Sequence, residues 1–188
     1  MKLLIIDNYD SFTYNLAYLV RKITGKNPEV KRNDCFLLED VDRYDKIICS
    51  PGPGIPLEAG LLMQLIATYA HRKSILGICL GHQAIASHYG ATLTNMQNVV
   101  HGRETPVLQV KEDILFFNVP GRFNVGRYHS WAVSKQSLPD CLEITAEDDD
   151  GMIMALRHRS DDVKGLQFHP ESIMTQYGQQ IISNWINL

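Results

Sequence analysis

Short runs rich in apolar residues recur through the first half of the chain and are bounded by charged or turn-forming residues. Runs of this length, with few polar positions, are typical of β-strands that are buried on both faces. Strands buried in this way pair in parallel and need connections that cross the faces of the sheet. The pattern predicts four such strands, at residues 3–6, 29–32, 46–49 and 75–78.

The segments between these runs have helical periodicity. Ser11 is placed to cap a helix that carries apolar residues at helical spacing to about residue 22, and Gly25 is placed to end it. Residues 58–69 show the same periodicity after a stretch rich in proline and glycine. Alternating strands and helices predict an α/β fold, an open and mostly parallel twisted sheet with helices on both faces.

The second half of the chain has a different pattern. Gly165 to Phe168 predicts one more buried strand, and residues 175–186 predict a closing helix. Residues 116–121 predict an irregular loop, and the acidic residues 147–150 predict a solvated turn. No repeat or linker divides the chain, so we expect one domain over residues 1–188. The remaining predicted strands are at 99–102 and 105–110, and an antiparallel hairpin is predicted from 142–146 and 152–157.

Composition excludes several classes of function. The net charge of −3, without a cluster of lysine or arginine, argues against nucleic acid as a partner. No apolar run approaches the 18 or so residues of a membrane span. The four cysteines are widely spaced, with no C-x-x-C pair, which favours reduced thiols in the cytoplasm and indicates no zinc site. No Walker-type phosphate loop is present, so we do not expect a phosphate-binding cradle, and no other residue pattern indicates a metal site.

Cys79 lies between an apolar run and a helical segment, with Gly77 and Gly81 on either side. A strand, then G-x-C-x-G, then a helix is the thiol counterpart of the nucleophile elbow of G-x-S-x-G hydrolases. Glycines leave room for a sharply turned backbone, and the N-terminus of the helix favours a thiolate. The alternative is an ordinary buried cysteine, so a base has to be found elsewhere in the chain.

His169 is the best candidate for that base among seven histidines. It follows the predicted strand that ends at Phe168, and sites in open α/β sheets lie at such strand ends. Glu171 lies two residues further on, where an extended backbone directs it to the same side as His169. Glu171 can therefore bind one imidazole nitrogen while the other nitrogen faces the sulfur. His82 is too close in sequence to Cys79 to face it. His71, His88 and His158 have polar or charged neighbours and are interpreted as surface or helix-end histidines.

The third element is the stretch Pro51-Gly52-Pro53-Gly54, directly after a predicted strand. Proline stiffens this loop and glycine leaves its backbone bare, so that the loop can direct an N–H group at a developing oxyanion. The N–H of Leu80, after the nucleophile, is the second candidate donor. Taken alone, the loop could equally be a plain tight turn.

Three motifs together resemble one family. P-G-P-G, G-I-C-L-G-H-Q and F-H-P-E-S, in that order, are similar to the class I, triad-type glutamine amidotransferases, and the opening L-I-I-D-N-Y-D-S-F-T-Y-N-L is similar to the glutaminase components of the anthranilate and aminodeoxychorismate synthases. The resemblance covers the whole chain and implies the flavodoxin-like fold of these glutaminases. It implies that Cys79 attacks the glutamine amide, with His169 as base and then acid and Glu171 holding His169.

The resemblance also implies further site residues. The amides of Gly52 and Leu80 would stabilise the oxyanion. Trp131 replaces a leucine that is common after H-S in these proteins, which bears on the glutamine pocket if its side chain shapes that pocket. The positions that match glutamine-holding residues of the family are Gly52, Pro53, Gly54, Gln83, Ser130 and Trp131.

In this family the ammonia passes to a synthase subunit that aminates chorismate and activates the glutaminase. The resemblance therefore implies an obligate complex with such a subunit, L-glutamine as substrate and no cofactor in this chain. The Pro51–Pro56 loop and the segment from His101 to Thr105 are expected to lie in the contact, beside the loop after the first strand. The candidate interface residues are Asn8, Tyr9, Asp10, Ser11, Phe12, His101 and Gly102.

The pattern leaves three other functions open. The chain could serve aminodeoxychorismate synthesis instead of anthranilate synthesis, or both, since the two glutaminases share the opening motif. A stand-alone cysteine hydrolase acting on γ-glutamyl substrates would need no ammonia acceptor. A regulatory binding module with an unused triad is the non-enzymatic alternative, against which the intact Cys79, His169 and Glu171 argue.

Overall fold

In the computed structural model, which describes residues 1–187 and leaves the side chains of residues 97–100 undescribed, the chain forms one nine-stranded sheet and four α-helices. The strands are β1 (Leu3–Asp7), β2 (Glu29–Arg32), β3 (Lys46–Cys49), β4 (Ser74–Ile78), β5 (Leu93–Gln109), β6 (Arg122–Val133), β7 (Leu142–Asp148), β8 (Ile153–His158) and β9 (Val163–Leu166). The helices are α1 (Thr13–Thr24), α2 (Leu62–Tyr69), α3 (Leu80–His88) and α4 (Gly178–Ile186).

The sheet joins a parallel half to an antiparallel half in the order β2-β1-β3-β4-β9-β8-β7-β5-β6. In this order, each pairing from β2 through β1, β3 and β4 to β9 is parallel. Each pairing from β9 through β8, β7 and β5 to β6 is antiparallel. The predicted α/β class and the hairpin of β7 and β8 are therefore confirmed. The antiparallel part is larger than the predicted hairpin, because the long strands β5 and β6 extend the same sheet.

Helices cover both faces of the sheet, and each face has its own apolar core. Alternate residues of a strand point to opposite faces, so Leu4 and Ile6 of β1 pack on the side of α2 and α3, whereas Ile5 packs on the side of α1 and α4. All five residues of β1 are buried. The continuous apolar runs of the sequence are therefore explained by burial on two faces at once.

The first helix begins later than predicted. Its N-cap is Phe12, without a side-chain cap, because the Asp10 carboxylate accepts from the Phe12 N–H and completes a turn before the helix. The Ser11 cap is therefore wrong. Gly25 ends the helix in the left-handed conformation at φ 71°, as predicted, and its N–H donates to the Arg21 carbonyl.

Four other elements differ from the prediction. Residues 58–69 are not one helix, because Pro56–Glu58 forms a 3-10 turn and α2 begins only at Leu62. The closing helix begins three residues late, at Gly178. β6 was not predicted at all, because buried polar residues such as Arg127 and His129 conceal its alternation. The two strands predicted over 99–110 belong to the single irregular strand β5.

The carboxyl ends of β1, β3, β4 and β9 all reach the same edge of the sheet, because these strands are parallel. The loop 8–12, the proline-rich loop 50–56, Cys79 and the turn that carries His169 are thus gathered there. No helix within residues 1–187 is long and apolar enough to cross a bilayer. Among the described side chains, no group of three or more histidine, cysteine or acidic residues could hold a metal ion. The four cysteine thiols are unpaired, as predicted.

Candidate active site

Cys79 lies at a sharp turn between β4 and α3. Its backbone has φ 51° and ψ −100°, a conformation that non-glycine residues rarely adopt. Glycines are needed on both sides because a Cβ at Gly77 would collide with the backbone of Gly81, and one at Gly81 would collide with the Cys49 carbonyl. α3 begins at Leu80, directly after the cysteine, so that Cys79 is the N-cap of the helix. The sulfur therefore lies at the positive end of the helix dipole.

His169 and Glu171 form a buried ion pair. The imidazole Nδ1 lies 2.7 Å from Glu171 Oε1, and the two side chains are 2% and 0% exposed. The backbone of His169 is held as well, since its N–H donates to the Gly126 carbonyl and its carbonyl accepts from Thr175 Oγ1. Because Nδ1 is hydrogen-bonded to Glu171, Nε2 is the nitrogen available for proton transfer. Within the part of the chain that the structure describes, no protein group is hydrogen-bonded to Nε2.

Cys79 and His169 line the same cavity of about 490 Å³ at the edge of the sheet. The N–H of Cys79 donates to the carbonyl of Leu166, the last residue of β9, which ties the elbow to the strand that leads to His169. Burial lowers the pKa of His169, but the nearby Cys79 sulfur and the Glu171 carboxylate, to which Nδ1 is hydrogen-bonded, outweigh burial and raise the pKa above its ordinary range. A histidine that holds its proton strongly beside the Cys79 sulfur is the partner that a cysteine nucleophile requires.

Two aromatic rings pack against His169 in the same cavity. Tyr128 contacts the imidazole edge-on at 4.8 Å between ring centroids, and Phe12 does so at 5.4 Å. The Tyr128 hydroxyl also bonds to Ser172, in the turn after the histidine. The sequence analysis did not identify Tyr128, because it did not predict β6, the strand that carries this residue. These contacts fix the plane of the imidazole ring and shield its bond to Glu171 from water.

The proline-rich loop lies directly against the elbow. A Cβ at Gly52 would come within 2.7 Å of Leu80 Cδ2, so the two predicted oxyanion donors are adjacent. The Leu80 N–H opens α3 and has no partner inside the helix. Asn8 holds the loop from behind, because its N–H donates to Ser50 Oγ and its Nδ2 donates to the Ser50 carbonyl. Asn8 is 2% exposed, so its side chain supports the loop from inside, and its predicted part in a partner interface stays a prediction.

Gln83, Ser130 and Trp131, predicted to hold glutamine, come together beside the elbow. Gln83 Nε2 donates to the Trp131 carbonyl at 2.8 Å and to Gln167 Oε1 at 3.2 Å. Both N–H groups of the Gln83 amide therefore have protein partners, so that a ligand can use only its Oε1. Trp131 makes this contact through its backbone carbonyl, so the replacement of leucine by tryptophan leaves the contact unchanged. Of the predicted loop residues, Gly52 and Pro53 line the cavity and Gly54 is exposed beside it at φ 73°.

The other predicted interface residues surround the mouth of the cavity. Tyr9 is half exposed at φ 62°, and its hydroxyl bonds to Asp34. Phe12 is half-buried against His169, so it belongs to the cavity wall as well as to the rim. The remaining residues at or near this rim are Asp10, Ser11, His101 and Gly102.

The comparisons with known proteins agree with this geometry. The family model for glutamine amidotransferase class-I matches residues 4–188. An anthranilate synthase component 2 from Lactococcus lactis is 44% identical, covering 98% of this chain and 93% of its own. An aminodeoxychorismate synthase component 2 from Escherichia coli K12 is 43% identical, covering 98% and 99%.

A solved structure agrees as well. A Thermoplasma acidophilum protein, assigned as one component of a GMP synthase, superposes with a TM-score of 0.87 at 26% identity, covering 100% of this chain and 92% of its own. The fold, the family match and the full-length relatives point the same way. This chain belongs to the class I glutamine amidotransferase family.

Proposed function

We propose that this chain is the glutaminase component of an anthranilate synthase, and that it hydrolyses glutamine through Cys79, His169 and Glu171. The observation that carries the proposal is the elbow itself. Cys79 has a strained backbone at the N-terminus of α3 and shares one cavity with a histidine whose far nitrogen binds a buried carboxylate. This is the arrangement of nucleophile, base and orienting group that acyl transfer requires.

In the first half of the reaction the Cys79 thiolate attacks the side-chain amide carbon of glutamine. Negative charge then develops on the amide oxygen, where the N–H groups of Gly52 and Leu80 stabilise it. The intermediate collapses as the C–N bond breaks, and the imidazolium of His169 gives its proton to the departing nitrogen. Ammonia leaves, and a γ-glutamyl thioester remains on the sulfur.

In the second half, water hydrolyses the thioester. His169, now neutral, takes a proton from the water as it attacks the thioester carbon, and the same two N–H groups stabilise the second oxyanion. The C–S bond breaks, glutamate leaves, and the thiolate–imidazolium pair is restored. Glu171 stabilises the imidazolium in both halves without leaving its bond to Nδ1. No cofactor takes part in any step.

Ammonia released into water would be lost, so we propose that a synthase subunit which aminates chorismate docks over the cavity mouth in the cytoplasm. The relatives' names, each a component 2 of a synthase, support a partner of this kind. Exposed Tyr9, Ser11, His101 and Gly102 surround the mouth and are the surface such a subunit would cover. The hydrogen bonds of Asn8 to Ser50 connect this rim to the loop that contains Gly52. A partner bound at the rim can therefore influence the position of the oxyanion donor through these bonds.

The test is to measure ammonia and glutamate formed from glutamine by the purified chain, with and without a chorismate-aminating partner. We expect Cys79→Ser to lower the activity by about 10³-fold or more. Amination from ammonium salts should stay at the wild-type level, which shows that the partner subunit is intact, and co-elution of the variant with the partner shows that the complex still assembles. Cys35→Ser, the same change at an exposed thiol, is the matched control and should be as active as wild type. Hydrolysis that survives Cys79→Ser would refute the nucleophile, and turnover of γ-glutamyl peptides by the isolated chain would favour a stand-alone hydrolase.

A second candidate function is the glutaminase component of aminodeoxychorismate synthase. The relative with that name is 43% identical, against 44% for the anthranilate synthase component, so similarity alone does not separate them. The amino product of the complex does separate them. Anthranilate from the native partner supports the first proposal, whereas aminodeoxychorismate alone supports the second, and both products indicate a shared subunit.

A further inference from the structure

The strand β6, which carries Ser130 and Trp131, pairs irregularly with β5 at these residues. β5 pairs Asn95 with Trp131 and next Val100 with His129, so that four residues of β5 lie opposite the single residue Ser130. Such a bulge bends the strand and interrupts the regular ladder. Side-chain hydrogen bonds therefore contribute to the position of this segment, and they converge on the Trp131 carbonyl.

A chain of buried polar groups on β6 and β7 reaches this carbonyl. The carbonyl accepts from His129 Nδ1 at 2.9 Å as well as from Gln83. His129 Nε2 accepts from Arg127 Nε at 3.1 Å, and Arg127 Nη1 donates to Asp148 Oδ2 at 2.7 Å. The side chains of Arg127 and Asp148 are 5% and 6% exposed. Burial of an ion pair is costly, so its place beside the candidate glutamine site calls for a role.

Asp148 is a fixed anchor for this chain. Its Oδ1 accepts from the N–H groups of Asp150 and Met152, so both of its oxygens are bound. The acidic residues 147–150 were predicted to form a solvated turn, but Asp148, one of them, is directed inward. Because Asp148 holds Arg127, and Arg127 holds His129, the ring of His129 has little freedom to rotate.

Arg127 also determines which nitrogen of His129 carries the proton. An arginine can only donate, so Nε2 has to accept, and the proton of a neutral imidazole then lies on Nδ1. Burial and the neighbouring guanidinium lower the pKa of His129 to about 4, so the ring is neutral at physiological pH. Nδ1–H therefore donates to the Trp131 carbonyl. Gln83, which donates to the same carbonyl, presents its Oε1 in the direction that this contact imposes.

We infer that His129 is a positioning residue for glutamine: its Nδ1–H, in a ring whose tautomer and orientation Arg127 and Asp148 set, holds the Trp131 carbonyl in place and, through it, Ser130 and the Gln83 amide. This inference rests on the proposed function, since it concerns how the amino-acid end of that substrate is held. It assigns no part in bond making to His129, which touches neither Cys79 nor His169 through any hydrogen bond.

Two substitutions at His129 separate the hydrogen bond from packing. An asparagine amide occupies the place of imidazole Nδ1, so His129→Asn keeps a donor to the Trp131 carbonyl. A glutamine amide occupies the place of Nε2, so His129→Gln loses that donor while it still offers an oxygen to Arg127. Loss of one hydrogen bond to a neutral acceptor corresponds to a factor of about 5 to 10. We therefore expect His129→Gln to raise KM for glutamine about 5- to 10-fold with kcat within about 2-fold of wild type, and His129→Asn to restore KM.

The experiment uses the full chain with its synthase partner, and alkylation of Cys79 by iodoacetamide reports on the elbow independently of glutamine binding. An unchanged KM in both variants, an equal rise in both, or a fall in kcat alone would overturn the inference. If the wild-type complex does not hydrolyse glutamine, the proposed function fails and the inference fails with it, whereas active wild type with indifferent variants overturns only the inference.

A measurement on unmodified protein covers the case in which the variants do not fold. The ¹⁵N NMR signals of His129 at neutral pH should show a proton on Nδ1 and a bare Nε2. The opposite tautomer would overturn the inference, because Nδ1 could then not donate to the carbonyl.

Discussion

Alanine in place of Gly52 tests whether the proline-rich loop supplies an oxyanion donor. The added Cβ would lie 2.6 Å from Asn8 Cβ and 2.7 Å from both the Asn8 carbonyl oxygen and Leu80 Cδ2. Carbon atoms in contact lie about 3.5–4.0 Å apart, so the overlap is about 1 Å. Asn8 is held from outside the loop by Asn33, whose Nδ2 donates to Asn8 Oδ1, and Leu80 is buried in the first turn of α3, so the loop has to move rather than its neighbours.

A shift of this size is large compared with the tolerance of an oxyanion site. Displacement of a reacting geometry by about 1 Å costs about 10²-fold in rate, and loss of one oxyanion donor costs about 10²–10³-fold in kcat. We therefore expect Gly52→Ala to lower kcat for glutamine hydrolysis by about 10²-fold. The overlap itself costs about 1–3 kcal/mol of stability, which a domain of this size can tolerate.

The assay is glutamate formation by the complex at saturating glutamine, together with the rate at which iodoacetamide alkylates Cys79. Alkylation needs the thiolate but no oxyanion site, so it should change little. Gly121→Ala is the matched control, because a Cβ at Gly121 meets nothing within 4 Å, and its activity should equal that of wild type. A folded Gly52→Ala variant with kcat within about 3-fold of wild type would refute the assignment of the loop.

Two further predictions follow from charged contacts. Glu171→Gln removes the charge that helps to raise the pKa of His169, so we expect kcat to fall about 10-fold and the alkaline limb of its pH profile to move to lower pH; an unmoved limb would contradict the role of Glu171. Hydrogen bonds from Lys111 and Arg157 lower the pKa of Glu143 to about 2, so its contribution to stability is present above about pH 4.5 and is lost as the pH falls towards 2. Thermal melts of Glu143→Gln should therefore show a lower Tm than wild type at pH 7 and a narrowing difference between pH 4.5 and 2, whereas a constant difference would argue against the ion pairs.

Much of the fold could be read from local pattern. The apolar runs of β1, β3 and β4 are buried on both faces, so that nearly every position carries the signal. β6 lacks that signal, because the buried Arg127 bonds to His129 and to Asp148 instead of facing water. Helix starts were also poorly predicted, since Asp10 completes a turn that displaces the expected cap at Ser11.

The sequence by itself determined the candidate chemistry. Cys79 between two glycines, and His169 two residues before Glu171, are short-range signals, because each depends on a turn that neighbouring residues form. The tertiary structure decided how these parts meet. Parallel pairing of β4 with β9 brings the cysteine and the histidine to one cavity across 90 residues of chain. The tertiary structure also buries Asn8 behind the proline-rich loop and connects Asp148 through Arg127 and His129 to Trp131. These contacts could not be predicted from the sequence, because they join residues far apart in the chain and leave no periodic signal.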